Sequence, residues 1–264
     1  MAADQKTRLS APLLLHGAFI YVFLYLPIAL LILFSFNASP SGSFPITGYT
    51  LDWYRELFSE LLLLDAFRNT LYVAAIATPV ATLIGTLCAF GLVRTQFRLK
   101  PLVSSLILMP MVVPGILLGA ALLIVFVPIL GMHLSLWTAA LGHVVVTTPY
   151  AVLAVATRLY GYDRRLDYAA SDLGATPVRV LRFVTLPVIM PGIVAAALIV
   201  FTVSLDMFGV TFFTIGAQGT LPMYIWAQVE SGVKPSLNAL GTLLVVGSVA
   251  IMLCANLLLR VRVR

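Results

Sequence analysis

The sequence predicts an all-α membrane protein with six transmembrane helices, and three observations support this fold class. Of the 264 residues, 61% are hydrophobic and only 10% are charged, whereas soluble domains are roughly half apolar and about a quarter charged. The mean hydropathy is +1.05. The chain also contains six windows of mostly apolar residues, each long enough to cross roughly 30 Å of hydrocarbon as a helix. An even number of spans places both termini on one side of the membrane.

The six predicted spans are not separated by repeats or low-complexity segments, so we predict one transmembrane domain over residues 1–264. The spans cover residues 15–36, 69–93, 102–128, 136–157, 188–213 and 238–259. The first is too long and too poorly flanked by small residues for a cleaved signal peptide, which predicts a retained helix. The third contains Pro110 and Pro114, followed by Gly115 and Gly119, which predicts a bend. A gating hinge and a static kink are both open for that bend.

The basic residues predict the orientation of the bundle, because Lys and Arg are retained in short cytoplasmic loops. One predicted side carries 13 of the 16 basic residues, namely Lys6, Arg8, Arg94, Arg98, Lys100, Arg158, Arg164, Arg165, Arg179, Arg182, Arg260, Arg262 and Arg264. The other side carries Arg55, Arg68 and Lys234 beside the acidic residues Asp52, Glu56, Glu60, Asp65 and Glu230. We therefore expect both termini in the cytoplasm. This bias also explains the net charge of +6, so nucleic acid is not an expected partner.

The chemistry-bearing residue types form no catalytic or metal-binding pattern. Cys88 and Cys254 lie inside predicted spans without CxxC spacing, as expected of small packing residues. His16, His133 and His143 lack metal-ligand spacing, and His143 is expected to bond a neighbouring helix rather than a substrate. The chain has no GxxxxGK[ST] phosphate-binding loop, which a nucleotide hydrolase of that class requires. We therefore predict a chain that is not an enzyme and binds no cofactor or metal.

A polar segment over residues 163–187 interrupts the hydrophobic runs. Four of its residues have the i, i+3, i+4, i+7 spacing of one helix face: Leu166, Ala169, Ala170 and Leu173. Gly174 can end that helix in a left-handed conformation. Thr176 and Pro177 then suit the N-cap and first position of a second helix. The pattern predicts a helix, a sharp turn, and a helix that leads into the membrane.

Two interpretations of this segment follow from the residues alone. A charged connection of this length between spans is unusual, and a soluble partner that grips it would explain its presence. Alternatively, an amphipathic hairpin could lie on lipid headgroups, where Arg179 and Arg182 would contact phosphates.

The spacing within this segment resembles a motif of the inner-membrane permease subunits of binding-protein-dependent ABC importers. That motif is EAA, three residues, Gly, nine residues, Ile, one residue, and Leu-Pro, and its register here is Tyr168, Ala169, Ala170, Gly174, Val184, Leu186 and Pro187. Tyr168 replaces the motif's Glu, and Asp167 lies one position earlier. The resemblance implies a coupling helix that docks on a separate ATPase. The residues it assigns to coupling are Asp167, Tyr168, Ala169, Ala170, Leu173, Gly174, Ala175, Leu186 and Pro187.

Seven further segments, in order along the chain, resemble permeases of the spermidine/putrescine type. They are SFN at 35–37, TLDWYRELF at 50–58, NTLYVA at 69–74, GHVVVTTPY at 142–150, SLDMFGVTFF at 204–213, TLP at 220–222 and NAL at 238–240. The resemblance implies the type I ABC importer permease fold in a bacterial inner membrane, in contact with membrane lipid. It also implies a second permease subunit, an ATPase dimer that holds ATP and Mg, and a periplasmic solute-binding protein. A polyamine is the first expectation for the solute, with amino acids, aminophosphonates or ferric iron open.

Asp206 is the only charged residue within an apolar span. A charge at the bilayer centre costs about 2.5 to 3.5 kcal/mol on insertion scales, so such residues usually face a cavity or a partner. The resembling family commonly has an acidic pair here that would suit an amine cation, whereas this chain has Asp206 followed by Met207. Ser204, Phe208 and Phe212 are the other candidates for the substrate path. Alternatively, Asp206 bonds across helices to Ser204 or to a partner subunit, and the aromatic residues are packing.

Two other classes of protein remain as rivals. An ATP-independent secondary carrier or channel would use Asp206 to bind a coupling ion near the membrane midplane, and it would need no docking segment. A membrane enzyme is disfavoured because no nucleophile, base or metal set converges.

Overall fold

The structure is a computed structural model that describes residues 11–40, 44–232 and 234–262. Within these ranges the regular structure is helical, without β-strands, which confirms the all-α prediction. In chain order the helices are α1 (Ala11–Phe34), α2 (Asp52–Ser59), α3 (Leu61–Arg94), α4 (Lys100–Leu108), α5 (Gly115–Ile124), α6 (Leu136–Tyr160), α7 (Arg165–Asp172), α8 (Pro177–Val180), α9 (Leu186–Leu205), α10 (Gly209–Thr214), α11 (Leu221–Glu230) and α12 (Pro235–Arg262).

The helices group into two compact units. One unit comprises the described residues before Leu62 and after Tyr224, and the other comprises Leu62–Tyr224. In the first unit, α12 packs against α1 and α2. The connection from α1 to α2 is organised by buried Asn37, whose Oδ1 accepts hydrogen bonds from the backbone N–H groups of Ser39 (3.1 Å) and Thr47 (3.3 Å).

The second unit is built on α3, α6 and α9. Its core consists largely of small apolar residues: Ala77, Ala81, Ala89, Val144, Ala151, Val152, Val155, Ala196 and Val200. A Cβ atom on Gly85 would lie 2.4 Å from Ala151 Cβ, so the glycine allows α3 to approach α6 closely. The helices α6 and α9 run antiparallel, because the start of α6 meets the end of α9 and Arg158, near the end of α6, meets Val188 near the start of α9. Small side chains therefore set the close packing of the unit that holds the predicted sites.

Among the described residues, four helical segments are each long and apolar enough to span a membrane: Pro12–Phe34, Leu61–Arg94, Leu136–Tyr160 and Pro177–Leu205. They match four of the six predicted spans. The sixth prediction, 238–259, falls within α12, whose apolar stretch with described side chains is Pro235–Ala250. Predictions for Lys6, Arg8, Arg264 and the side chains of Cys254, Arg260 and Arg262 lie outside the described residues.

The predicted span over 102–128 is sharply bent. The chain forms two helical segments, Lys100–Met111 and Gly115–Ile129, which bend by 103° at the break between them. The break contains Pro114, which has an extended backbone (φ −53°, ψ 132°) and no N–H to continue the helix. The predicted bend at the prolines is therefore confirmed, and it is sharp enough for a broken span or a re-entrant loop.

The continuous helix predicted over 188–213 is wrong. Helix α9 ends at Leu205 and α10 begins at Gly209. A Cβ atom on Gly209 would lie 2.8 Å from the backbone nitrogen of Ile116, so the break brings α10 into close backbone contact with α5. Asp206 consequently lies in a helix break and not within a helix.

Candidate functional site

The 163–187 segment has the predicted local structure. Helix α7 is followed by Gly174 with a φ of +83°, a conformation that glycine adopts without steric cost. Thr176 is extended (φ −69°, ψ 156°) and Pro177 begins α8. The helix, turn and helix predicted from the spacing are confirmed.

Helix α7 and its C-cap expose large apolar side chains. Leu173 is 89% exposed, Tyr168 65% and Leu166 47%. Ala169 is also exposed, as are the polar residues Arg165, Ser171 and Asp172, and Ala170 is half-buried. Exposed large apolar side chains on a short polar segment are typical of a surface that another molecule covers.

Asp167 faces the opposite way, toward its own chain, with its side chain only 14% exposed. Its Oδ1 accepts hydrogen bonds from the hydroxyls of Tyr162 and of Thr185, the latter at 2.8 Å. Its Oδ2 lies 2.8 Å from Nη1 of Arg94. We call Asp167 and these three partners the Asp167 clamp. The clamp joins α7 to the last residue of α3, to the chain after α6, and to the residue before α9.

Aromatic rings support the guanidinium of the clamp. The Arg94 guanidinium carbon lies 5.4 Å from the ring centroid of Phe90 and 5.3 Å from that of Tyr162, within the range of cation–π attraction. Nη2 of Arg94 is buried and has no hydrogen-bond partner among the described residues. Asp167 is therefore the anion that compensates this cation.

The clamp shifts the pKa values of its two acids in opposite directions. Burial alone would raise the pKa of Asp167, but the hydrogen bonds from Tyr162 and Thr185 and the charge of Arg94 outweigh burial and hold that pKa below its usual value. Burial and the hydrogen bond to Asp167 raise the pKa of the Tyr162 phenol. At neutral pH the aspartate is ionised and the tyrosine is a proton donor.

The remaining motif residues lie at the entry to α9. A π-helical turn, Leu181–Thr185, joins α8 to α9. Leu186 packs against the core of the second unit, and Pro187 lies in the first turn of α9. Proline has no N–H to donate to the preceding turn, which accounts for an irregular turn just before it. Ala175 is half-buried in the connection that follows Gly174.

His143 forms a second polar cluster, which lies inside the apolar spans at the other end of α9. It is 1% exposed. Its Nδ1 lies 2.7 Å from Ser204 Oγ, and its Nε2 lies 2.7 Å from Thr211 Oγ1. The prediction that His143 bonds neighbouring helices is confirmed, and one imidazole joins α6 to both helices that flank the break at Asp206. We call His143, Ser204 and Thr211 the His143 cluster.

Asp206 is exposed in the break and has no hydrogen-bond or ion-pair partner among the residues that the structure describes. The alternative that it bonds Ser204 is wrong, because no hydrogen bond joins these two described residues and the Ser204 hydroxyl bonds His143. Asp206 is the C-cap of α9, where the helix dipole adds negative potential to that of the carboxylate. The arrangement is suited to a cation.

The three phenylalanines near Asp206 have different surroundings. Phe212 is 52% exposed, and its ring centroid lies 5.6 Å from that of half-buried Phe208. Phe213 packs toward α5, where its Cδ2 would lie 3.1 Å from a Cβ atom on Gly119. The aromatic residues are thus partly packing, and Phe212 is the one that remains open.

The partners of Asp167 were not predicted from the sequence. Arg94 was noted only as one of the basic residues that indicate the orientation, and no role was predicted for Tyr162 or Thr185. Tyr162 and Thr185 are 5 and 18 residues from Asp167, but neither has a spacing that marks it as a partner, and Arg94 lies in a different helix. The available signal was an arginine at the end of one apolar span and an acidic residue after another.

Four of the segments that resemble permeases of the spermidine/putrescine type are joined in pairs by hydrogen bonds. The NTLYVA and TLP segments are joined by Asn69 Nδ2, which donates to the Gly219 carbonyl (3.0 Å), and by Thr70 Oγ1, which accepts from the Leu221 N–H (2.7 Å). GHVVVTTPY and SLDMFGVTFF meet through His143. These segments therefore hold interhelical hydrogen bonds, which apolar spans use for specific association.

Comparison with known proteins places the chain in a family. The model of the "Binding-protein-dependent transport system inner membrane component" family matches residues 81–264. The Escherichia coli (strain K12) "Spermidine/putrescine transport system permease protein PotC" is 39% identical over 251 residues, which cover 94% of each chain. "Putrescine transport system permease protein PotI" of the same organism is 37% identical and covers 88% of this chain and 84% of that protein.

Solved structures share the fold. A bacterial ABC transporter for import of the acidic polysaccharide alginate aligns with a TM-score of 0.71 at 18% identity, covering 94% of this chain and 93% of that one. The inward-facing MetNI methionine ABC transporter aligns with a TM-score of 0.62 at 22% identity, covering 74% and 92%. A family model that matches most of the chain, relatives that match along almost its full length and a shared helical fold agree: this multi-pass protein belongs to the family of inner membrane components of binding-protein-dependent transport systems.

Proposed function

We propose that this chain forms half of the translocation path of an ATP-driven importer of polyamines, and that α7 is its coupling helix. The observation that carries the proposal is that α7 is attached through Asp167 and otherwise largely exposed. Asp167 is bound to the chain's own helices, whereas Leu173, Tyr168 and Leu166 are exposed to solvent. A helix held in this way can receive a partner and pass force to the bundle.

A separate ATPase dimer, which binds ATP and Mg, is the partner that we assign to the outer surface of α7. A second permease subunit, related to this chain but different, completes the path, and a periplasmic solute-binding protein delivers the solute. The basic residues around α7 favour a cytoplasmic location for this end and for both termini. ATP-driven closure of the ATPase dimer moves the coupling helices of the two permeases together and turns the cavity outward, and hydrolysis resets it.

A polyamine is the solute that the combined observations favour. The relatives at 36 to 39% identity are named for spermidine and putrescine transport. In this chain, Asp206 places a carboxylate at the C-terminal end of α9 with no internal partner among the described residues, and Phe212 lies close by in the sequence and is exposed. A carboxylate and an aromatic face are both favourable for an ammonium group.

Co-purification tests the docking surface. The tagged chain is expressed with its native neighbours, extracted in mild detergent, and its partners are identified. We expect an ATPase and a second permease with the wild-type chain. Leu173→Asp places a charge on the exposed face of α7 and should release the ATPase. Gly174→Asp, which puts a side chain at a left-handed position, should do the same.

The matched control is Leu99→Asp, because Leu99 is also an exposed leucine (60%) and lies in the connection between α3 and α4, outside the motif. It should retain the ATPase. Recovery of the chain alone, from wild type and variants alike, would contradict the proposal and favour an ATP-independent carrier.

Uptake of labelled spermidine and putrescine tests the solute. Asp206→Asn should reduce uptake at low solute concentration, whereas Asp65→Asn, at an exposed acidic position in α3, should not. Efficient uptake of an amino acid, an aminophosphonate or ferric iron in place of a polyamine would reassign the substrate and leave the class of transporter intact.

A further inference from the structure

The Asp167 clamp joins α7 to residues at the ends of three long helices. Asp167 Oδ2 bonds Arg94 at the end of α3, and Oδ1 bonds Tyr162 after α6 and Thr185 before α9. Thr185 is fully buried and Tyr162 is 8% exposed. A displacement of α7 therefore acts on three long helices through one carboxylate.

Thr185 is the most consequential partner of Asp167. The run Pro177–Leu205 is one helical segment of 29 residues, and Thr185 lies where α8 passes into α9. From Thr185 to Ser204 the rise is roughly 28 Å at 1.5 Å per residue. At its far end Ser204 bonds His143, and Asp206 follows within two residues. One helix thus connects the clamp to the break that carries Asp206.

Helix α6 accompanies α9 over this distance. The Arg158 guanidinium donates to the Val188 carbonyl at 3.3 Å near the start of α9, and His143 bonds Ser204 near its end. A Cβ atom on Gly192 would lie 2.7 Å from Arg158 Cβ, so the two helices are in close contact there. Packed helices of this kind move as a unit, since interiors are dense and resist deformation.

We propose that Asp167 is a positioning residue that converts movement of α7 into movement of α9, and thereby links ATPase docking to the break at Asp206. This inference rests on the proposed function. Residues of one short segment then have different roles. Leu173 and Tyr168 hold the ATPase, whereas Asp167 transmits the motion of α7 without contacting the ATPase. Loss of the two functions should therefore be separable.

The test uses the complete complex, co-expressed, purified and placed in lipid nanodiscs for ATP hydrolysis and in proteoliposomes for uptake of labelled spermidine. Asp167→Asn keeps the shape of the side chain and an acceptor for the hydroxyls, but it removes the charge opposite Arg94. Because the charge-assisted attachment of α7 to Arg94 is lost, we expect solute transported per ATP hydrolysed to fall about tenfold. The ATPase should remain bound, because the outer surface of α7 is unchanged.

Asp172→Asn is the matched control. Asp172 is the last residue of α7, exposed, and without a hydrogen bond or ion pair among the described residues, so the same charge is removed from the same helix. It should keep wild-type transport per ATP. Thr185→Val, which removes one buried hydroxyl at nearly constant shape, should lower transport per ATP about threefold, and it serves as the test if Asp167→Asn does not assemble.

Transport per ATP is the readout that a purely structural role would not change. If Asp167→Asn lowered the amount of assembled complex while each complex kept its wild-type ratio, the inference would be overturned. Wild-type transport per ATP in both Asp167→Asn and Thr185→Val would overturn it equally. If the wild-type chain retained no ATPase, the proposed function itself would fail, an outcome distinguishable from the other two.

Discussion

The two ends of α9 are held by different polar clusters. At its beginning, the hydroxyl of Thr185 donates to the carboxylate of Asp167, which also pairs with the guanidinium of Arg94. At its end, the hydroxyl of Ser204 bonds the imidazole of His143, which also bonds the hydroxyl of Thr211. Each polar cluster joins several helices. The first is ionic and lies at the ends of the apolar segments and in the connection between them, whereas the second is built from imidazole and hydroxyl groups deeper within the apolar segments.

The difference follows from the cost of burying charge. Arg94 and Asp167 retain some exposure, 27% and 14% of their side chains, so that their desolvation is incomplete and their attraction offsets it. The His143 cluster is almost fully buried among apolar helices. Burying an ion pair there would cost several kcal/mol, whereas burying hydrogen-bonded hydroxyl and imidazole groups costs much less. The ionic attachment therefore lies at the beginning of α9, and the weaker, uncharged attachment lies at its end.

The largest effect that we expect on stability comes from removing the carboxylate. Asp167→Ala leaves Arg94 without its anion and two buried hydroxyls without their shared acceptor, so we expect a loss of about 2 to 3 kcal/mol. Thermal unfolding in detergent measures it as a lower Tm. Asp172→Ala should leave the Tm unchanged. An equal Tm for the two variants would show that the Asp167 clamp does not stabilise the fold.

The next effect concerns the other end of α9. His143→Leu removes the bonds to Ser204 and Thr211, and interhelical hydrogen bonds in membranes are worth only about 0.6 to 1.7 kcal/mol each. We therefore expect a smaller drop in Tm than for Asp167→Ala. His133→Leu, at an exposed loop position, is the control. A larger loss for His143→Leu than for Asp167→Ala would reverse the proposed order of strengths.

A smaller effect separates the turn after α7 from the clamp. Gly174→Ala meets no atom within 4 Å but keeps a φ of +83°, which costs a residue with a Cβ about 1 to 2 kcal/mol. This strain is local, so α7 should show faster amide hydrogen exchange with little change in global Tm. Gly161→Ala is the control, because Gly161 has a φ of −83° and ordinary contacts. Equal exchange in both variants would show that the turn does not depend on glycine.

The smallest expected effect is that of pH. Since the folded-state pKa of Asp167 is lowered from 3.8, the clamp contributes its full stability above pH 3.8 and loses it as pH falls through the lowered value. Tyr162, whose pKa is raised, stays protonated in this range. Hydrogen exchange of α7 should therefore show no titration attributable to the clamp between about pH 5 and pH 8. A step in this window that Asp167→Asn abolishes would contradict the ionised clamp.

Much of the local structure was predictable, because it depends on residues close in sequence. The spacing of Leu166, Ala169, Ala170 and Leu173 predicted α7, and Gly174 and Pro177 predicted the turn and the second helix. The helices α2 and α11 were not predicted, since each is short and lies in a connection between apolar windows. The breaks within 102–128 and 188–213 were only half predicted: prolines mark the first, but nothing in the local composition marks the end of α9 at Leu205.

The sequence by itself determined the class of protein, the apolar spans, the bend at Pro114 and the form of the 163–187 segment, because hydrophobic length, glycine and proline act locally. Tertiary structure decided which way each polar residue faces. Asp167 and Tyr168 are adjacent in sequence, yet one is held by Arg94, Tyr162 and Thr185 while the other is exposed. Successive residues on a helix differ by about 100° in direction, and only the approach of elements distant in sequence determines which direction is buried.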